Sequence, residues 1–130
     1  MMRVAIVGSR SVQLEQEQEL LRFLPRGTHE IVSGGAEGAD KIAEHIAERL
    51  GLPIKIFRPD YETYYRRAPL ERNLDIIRYS DFVLALWDGS SRGTAHVIKS
   101  CVAEYTPVRV LICHDGRLMD TLFGEQDHLL

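Results

Sequence analysis

Short apolar runs alternate along the chain with longer amphipathic stretches. Arg3–Val7, Glu30–Ser33, Ile54–Phe57, Asp81–Trp87 and Val108–Cys113 are brief and rich in apolar or β-branched residues, the pattern of strands. Val4-Ala5-Ile6-Val7 and Phe82-Val83-Leu84-Ala85-Leu86 are apolar at every position. A half-exposed strand alternates apolar with polar residues, so an unbroken run implies cover on both faces, as in a parallel sheet between helices. Elsewhere the period lengthens. Ala39, Ile42, Ala43, Ile46, Ala47 and Leu50 recur at i, i+3, i+4, i+7, with Glu44, Glu48 and Arg49 on the opposite face. The spacing predicts a helix over 39–50, closed by Gly51 and Pro53. A weaker pattern predicts a helix over Val12–Leu24, stopped by Pro25 and Gly27. Pro69 suits a first helical turn, with Leu70, Leu74 and Ile77 as the following stripe. Thr94–Glu104 is the last predicted core helix, with Ala95, Ile98 and Val102 expected to face the sheet. Beyond Asp115 the pattern fits either a short helix or a subunit contact.

Strand starts recur at the spacing of one strand, one helix and two short loops, which is the βα unit. Right-handed crossovers then make one topology economical. The expectation is a single domain over residues 1–130: α/β, a Rossmann-like three-layer sandwich, with about five parallel strands and helices on both faces.

Composition narrows the class. At 130 residues, 45% hydrophobic and 27% charged, the chain reads as one soluble globular domain. Its longest apolar run, Phe82–Trp87, is far short of the ~20 residues of a membrane span. The first residues enter a strand candidate with no secretory cleavage pattern, so a cytoplasmic location is expected. The net charge of −3 lacks the basic surplus of a duplex nucleic-acid binder. Cys101 and Cys113 have no metal-ligand spacing and read as reduced, buried thiols.

Ligands of open parallel sheets bind beyond the carboxyl ends of the strands. Strand candidates there open into Gly8-Ser9-Arg10-Ser11, Ser33-Gly34-Gly35-Ala36-Glu37-Gly38-Ala39-Asp40 and Asp88-Gly89-Ser90-Ser91-Arg92-Gly93-Thr94. Glycines let backbone N–H groups approach an anion, and a following helix N-terminus adds unpaired donors. Ser33, Ser90, Ser91 and Thr94 supply hydroxyls, and Arg10 and Arg92 supply charge. The same residues also read as tight turns and helix caps. Glu37 and Asp40 oppose a phosphate, although Asp40 can accept a ribose hydroxyl or pin its loop. Arg72-Asn73 can read a phosphate with a sugar or base edge, or lie at the surface. Tyr61–Arg67 gathers aromatics and arginines, fitting a base-stacking loop and a subunit interface equally. His96, in the first turn after Gly93-Thr94, fits a surface or capping role better than catalysis. There is no G-x-G-x-x-G, Walker or G-x-S-x-G motif. Nothing in these patterns requires a cofactor or a metal.

Taken in order, Val4–Arg10, Ile31–Asp40, Arg72-Asn73 and Trp87–Thr94 resemble the SLOG superfamily, most nearly its small single-domain branch of YspA- or YpsA-related proteins. The resemblance covers about Met1 to Cys113. It implies a Rossmann-like domain that binds nucleotides or nucleotide-derived ligands, and a homo-oligomer. Carried over by motif, the contacts are Gly8, Ser9 and Arg10, then Ser33, Gly34, Gly35, Gly38 and Asp40, then Arg72 and Asn73, and finally Gly89, Ser90, Ser91, Gly93 and Thr94, with Asp88 and Arg92 in the same loop. The related cytokinin-activating phosphoribohydrolases carry P-G-G-x-G-T-x-x-E. Val97 stands here where their glutamate would be, and a valine moves no proton. The DNA-processing protein A family shares the G-S-R, S-G-x-A-x-G and R-N elements. The expectation is thus a binding module for a nucleotide-like phosphorylated ligand. The alternatives are a nucleotide hydrolase using Asp40, Asp88 or His96, and a single-strand binder using Tyr64, Tyr65, Arg66 and Arg67.

Overall fold

The computed structural model of the chain describes residues 1–13, 17–35 and 38–121. The two unbroken apolar runs become adjacent strands, β1 (Met2–Gly8) and β4 (Phe82–Trp87), paired in parallel with Val4 opposite Phe82 and Gly8 opposite Leu86. On the far side of β1 lie β2 (Thr28–Ser33) and then β3 (Ile54–Ile56); on the far side of β4 lie β5 (Val108–His114) and β6 (Arg117–Asp120). The sheet is six-stranded in the order β3-β2-β1-β4-β5-β6. Every pair is parallel except β5–β6.

The helices are α1 (Glu17–Leu21), α2 (Ala39–Leu50), α3 (Tyr61–Tyr64), α4 (Ala68–Tyr79) and α5 (Arg92–Ala103), with a 3-10 turn at Tyr65–Arg67 before α4. Alternation along the central strands splits the core in two. Val4, Ile6, Leu84 and Leu86 pack with Leu20 of α1 and Ile42 and Ile46 of α2. Ala5, Val7, Val83 and Ala85 point the other way, against Ile76 and Ile77 of α4 and Val97 and Cys101 of α5. Each strand face thus meets apolar side chains, which is why these strands carry no polar alternation.

Several expectations need correction. The sheet has a sixth, antiparallel strand, where about five parallel ones were expected. Its cause is Asp115-Gly116, whose φ values of +50° and +74° form the two-residue hairpin loop that pairs His114 with Arg117. The segment beyond Asp115 is therefore strand rather than helix as far as Asp120. The helix expected over Val12–Leu24 is described only as Glu17–Leu21, residues 14–16 lying outside the described set. Leu50 is 46% exposed, because Gly51 at φ +66° ends α2 there and turns the chain away. In α4 the buried positions are Ala68, Asn73, Ile76 and Ile77, and Leu70 is 41% exposed. In α5 they are Thr94, Val97 and Cys101, whereas Val102 is exposed. Two apolar stripes fit α5 and differ by one residue, or about 100° of rotation. The hydroxyl contacts of Thr94 with Ser9 (3.4 Å) and Ser91 (3.3 Å) accompany the inward choice.

Among the described residues no helix is long and apolar enough to cross a membrane. Cys101 and Cys113 are free thiols, and burial pushes each up to about 11, so neither is a ready nucleophile.

Candidate functional site

The chain runs outward from β1 to β2 and β3, then returns to add β4 and β5 on the other side. That reversal parts the connections leaving β1 and β4, and a crevice opens beyond their carboxyl ends. Here the crevice is a cleft of about 210 Å³. Val7, Leu70, Ile76 and Val97 give it an apolar side. Arg10, Asp40, Arg72, Asn73 and Thr94 give it a polar one.

The β2–α2 loop is built around glycines that other parts of the protein use. The buried Ser33 hydroxyl accepts the Gly35 N–H at 3.2 Å, making a local turn. Arg72 Nη1 donates to the Gly34 carbonyl at 2.9 Å, and a Cβ on Gly34 would lie 2.6 Å from that same nitrogen. Gly38, at φ +69°, leaves only 2.6 Å between a would-be Cβ and the Ser9 carbonyl oxygen. Its backbone therefore packs against the β1–α1 loop and starts α2. Arg72 Nε donates to Asn73 Oδ1 at 3.0 Å, which fixes the guanidinium plane. Burial lowers the Arg72 pKa and the nearby Arg10 adds to this, while Asp40 and then Tyr61 act against it.

The β4–α5 loop is organised differently. Asp88 Oδ1 accepts the N–H groups of Ser90 (2.9 Å) and Ser91 (2.7 Å), and Oδ2 accepts the Ser11 hydroxyl at 3.4 Å. The two backbone bonds, Ser90 first, hold its carboxyl below the usual carboxylate range. Trp87 Nε1 donates to the Ser91 carbonyl at 3.0 Å. Ser91 occupies the N-cap of α5, yet its side chain makes no cap and meets the Thr94 hydroxyl instead. The N–H groups of the first turn are thereby left without a side-chain acceptor, and Gly93 and Thr94 line the cleft. A Cβ added at Gly93 or Gly89 would meet nothing within 4 Å.

Of the residues anticipated from sequence, Gly8, Arg10, Gly34, Asp40, Arg72, Asn73, Gly93 and Thr94 meet in the cleft. Ser9, Ser33, Gly35, Gly38 and Ser91 stand behind it as packing and hydrogen-bonding support. Asp88, Gly89, Ser90 and Arg92 sit on the exposed outer part of their loop, outside the lining. Ala36 and Glu37 lie outside the described residues. Gly8 has a second reason to be glycine, because a Cβ there would lie 2.2 Å from the Leu86 carbonyl oxygen of β4. Val7, Pro69, Leu70, Ile76 and Val97 complete the lining and were not anticipated as contacts. Val7 and Val97 were legible in principle, being beside the Gly8 loop and one turn past Gly93. His96 is not part of the lining. The Tyr61–Arg67 segment forms α3 and the 3-10 turn, started by Asp60 accepting the Thr63 N–H at 3.2 Å. A smaller cleft of about 170 Å³ lies at the ends of β1 and β5, against Ser11, Gln13, Cys113 and the Asp115-Gly116 turn.

Comparison with protein-family models, with curated proteins and with solved structures finds no match to this chain.

Proposed function

We propose that the cleft binds a nucleotide or nucleotide-derived phosphorylated ligand, in a Rossmann-like module of the SLOG type. The observation that carries this reading is the first turn of α5, uncapped and unobstructed at Gly93, on a cleft that also holds the half-buried Arg72. Open helix N–H groups and a fixed guanidinium favour an oxyanion, and the exposed Arg10 adds a second positive charge. The apolar side, with Val7, Leu70, Ile76 and Val97, suits a flat base. Asn73 and Asp40 offer acceptors for ribose hydroxyls. The ligand stabilises the fold by mass action, adding about 2.7 kcal/mol at 100 times its dissociation constant. Thermal melting against nucleosides, nucleotides and sugar phosphates tests it. A rise in melting temperature confined to phosphorylated compounds supports the reading, and a flat response across the panel removes it.

Asp40 favours a second reading, hydrolysis of an N-glycosidic bond, because its carboxylate lines the cleft beside Arg72. Against it, Val97 contributes an apolar side chain where the related phosphoribohydrolases place glutamate. Chromatography of nucleoside monophosphates after incubation decides between the two. Release of free base that Asp40→Asn abolishes would promote the enzymatic reading.

A further inference from the structure

The turn after β2 carries a cation that the cleft lining leaves out. Gly34 and Gly35 are consecutive, and each seats a different guanidinium: a Cβ on Gly34 would lie 2.6 Å from Arg72 Nη1, and one on Gly35 would lie 2.8 Å from Arg58 Nη1. Consecutive Cα atoms are about 3.8 Å apart, so both charges rest on neighbouring residues of one turn. Arg10 enters the same cleft as Arg72 and disfavours its charged form. Among the described residues Arg10 and Arg58 have no hydrogen-bond or ion-pair partner. The described lining sets one carboxylate, Asp40, against its two arginines, Arg10 and Arg72. Like charges gathered this way repel, and an anion of matching charge relieves the repulsion. Arg10, Arg72 and the first turn of α5, at Gly93 and Thr94, line this one cleft and are its candidate seat for a first phosphate. Arg58, which follows β3 on the same sheet edge, stands one residue farther out along the turn.

We infer that the site takes a nucleotide carrying a second phosphate, such as a nucleoside diphosphate, with Arg58 holding the phosphate farther from the cleft. This rests on the nucleotide reading above and narrows its ligand class. Titration calorimetry of the wild type and of Arg58→Gln with AMP, ADP and inorganic pyrophosphate tests it. Charge-assisted contacts to the added phosphate should make ADP bind the wild type about tenfold more tightly than AMP. Arg58→Gln should bring that ratio close to one, with an unchanged far-ultraviolet spectrum, since Arg58 is exposed. Equal binding of AMP and ADP to the wild type, or a ratio that survives the substitution, overturns the role of Arg58 and leaves the nucleotide reading standing. Pyrophosphate binding that depends on Arg58, with no gain from the nucleoside, supports the second-phosphate seat and overturns the nucleotide. Failure of all three compounds to bind overturns both.

Discussion

The β2–α2 and β4–α5 loops look alike in sequence, since each is a small, polar, glycine-bearing link from a strand to a helix. Their glycines do opposite things. At Gly34, Gly35 and Gly38 the missing Cβ is replaced by Arg72, Arg58 and the Ser9–Arg10 backbone, all within 3 Å of where it would be. At Gly89 and Gly93 the same test finds open space. The first loop is a scaffold that seats arginines, and the second leaves room for a visitor beside uncapped N–H groups. A glycine motif reports close approach, and only the structure says whether protein or ligand makes that approach.

The sharpest way to break this contrast is Gly38→Ala. A Cβ 2.6 Å from a backbone oxygen, at φ +69°, should destabilise the protein by about 3 kcal/mol in urea unfolding. A loss below about 1 kcal/mol would mean that the loop is not packed as described. Arg72→Ala comes next. It strips the Gly34 carbonyl and Asn73 of their donor, costing about 2 kcal/mol, and it should also abolish the thermal shift from any phosphorylated ligand. Retained stabilisation by the ligand would remove Arg72 from the site.

Asp88→Ala should cost about 0.5–1 kcal/mol, the value of an exposed cap-like acceptor. Its folded pKa is depressed, so the contribution is present above the unfolded value near ~4 and disappears as pH falls through the lower folded value. Wild type and variant should therefore differ in urea at neutral pH and converge in acid; a difference that grows in acid would reverse the sign. The smallest effect, and opposite in sign, belongs to Gly93→Ala. With nothing within 4 Å and a place in the first helical turn, alanine should raise stability by at most ~0.5 kcal/mol while weakening ligand binding. Lost stability would show that the first turn of α5 is not open.

Much of the fold was legible because burial on both faces writes itself into composition. The runs at Val4–Val7 and Phe82–Leu86 mark the central strands, and the Ile42–Ile46 spacing marks α2. The sixth strand was less legible: Asp115-Gly116 is a hairpin signal, but the apolar alternation after it is weak. The inward face of α5 was not legible, because two stripes one residue apart satisfy the same periodicity and the tertiary contact of Thr94 with Ser9 accompanies the choice. For the candidate site, sequence named loops that meet at the cleft but could not separate lining from support. Ser33 and Asp88 look like ligand contacts until their side chains are seen to bond within the protein, Ser33 to its own loop and Asp88 to its own loop and to Ser11. Arg58 carried no motif, and only its place over Gly35 brings it forward.

Amide chemical-shift mapping of isotope-labelled protein during addition of ADP addresses the central claim most directly. Binding at the strand-order reversal requires the largest shifts at Gly34, Gly93 and Thr94, with the Asp115-Gly116 turn beside the smaller cleft unmoved. Shifts concentrated at that turn, or none anywhere at millimolar ligand, would contradict it.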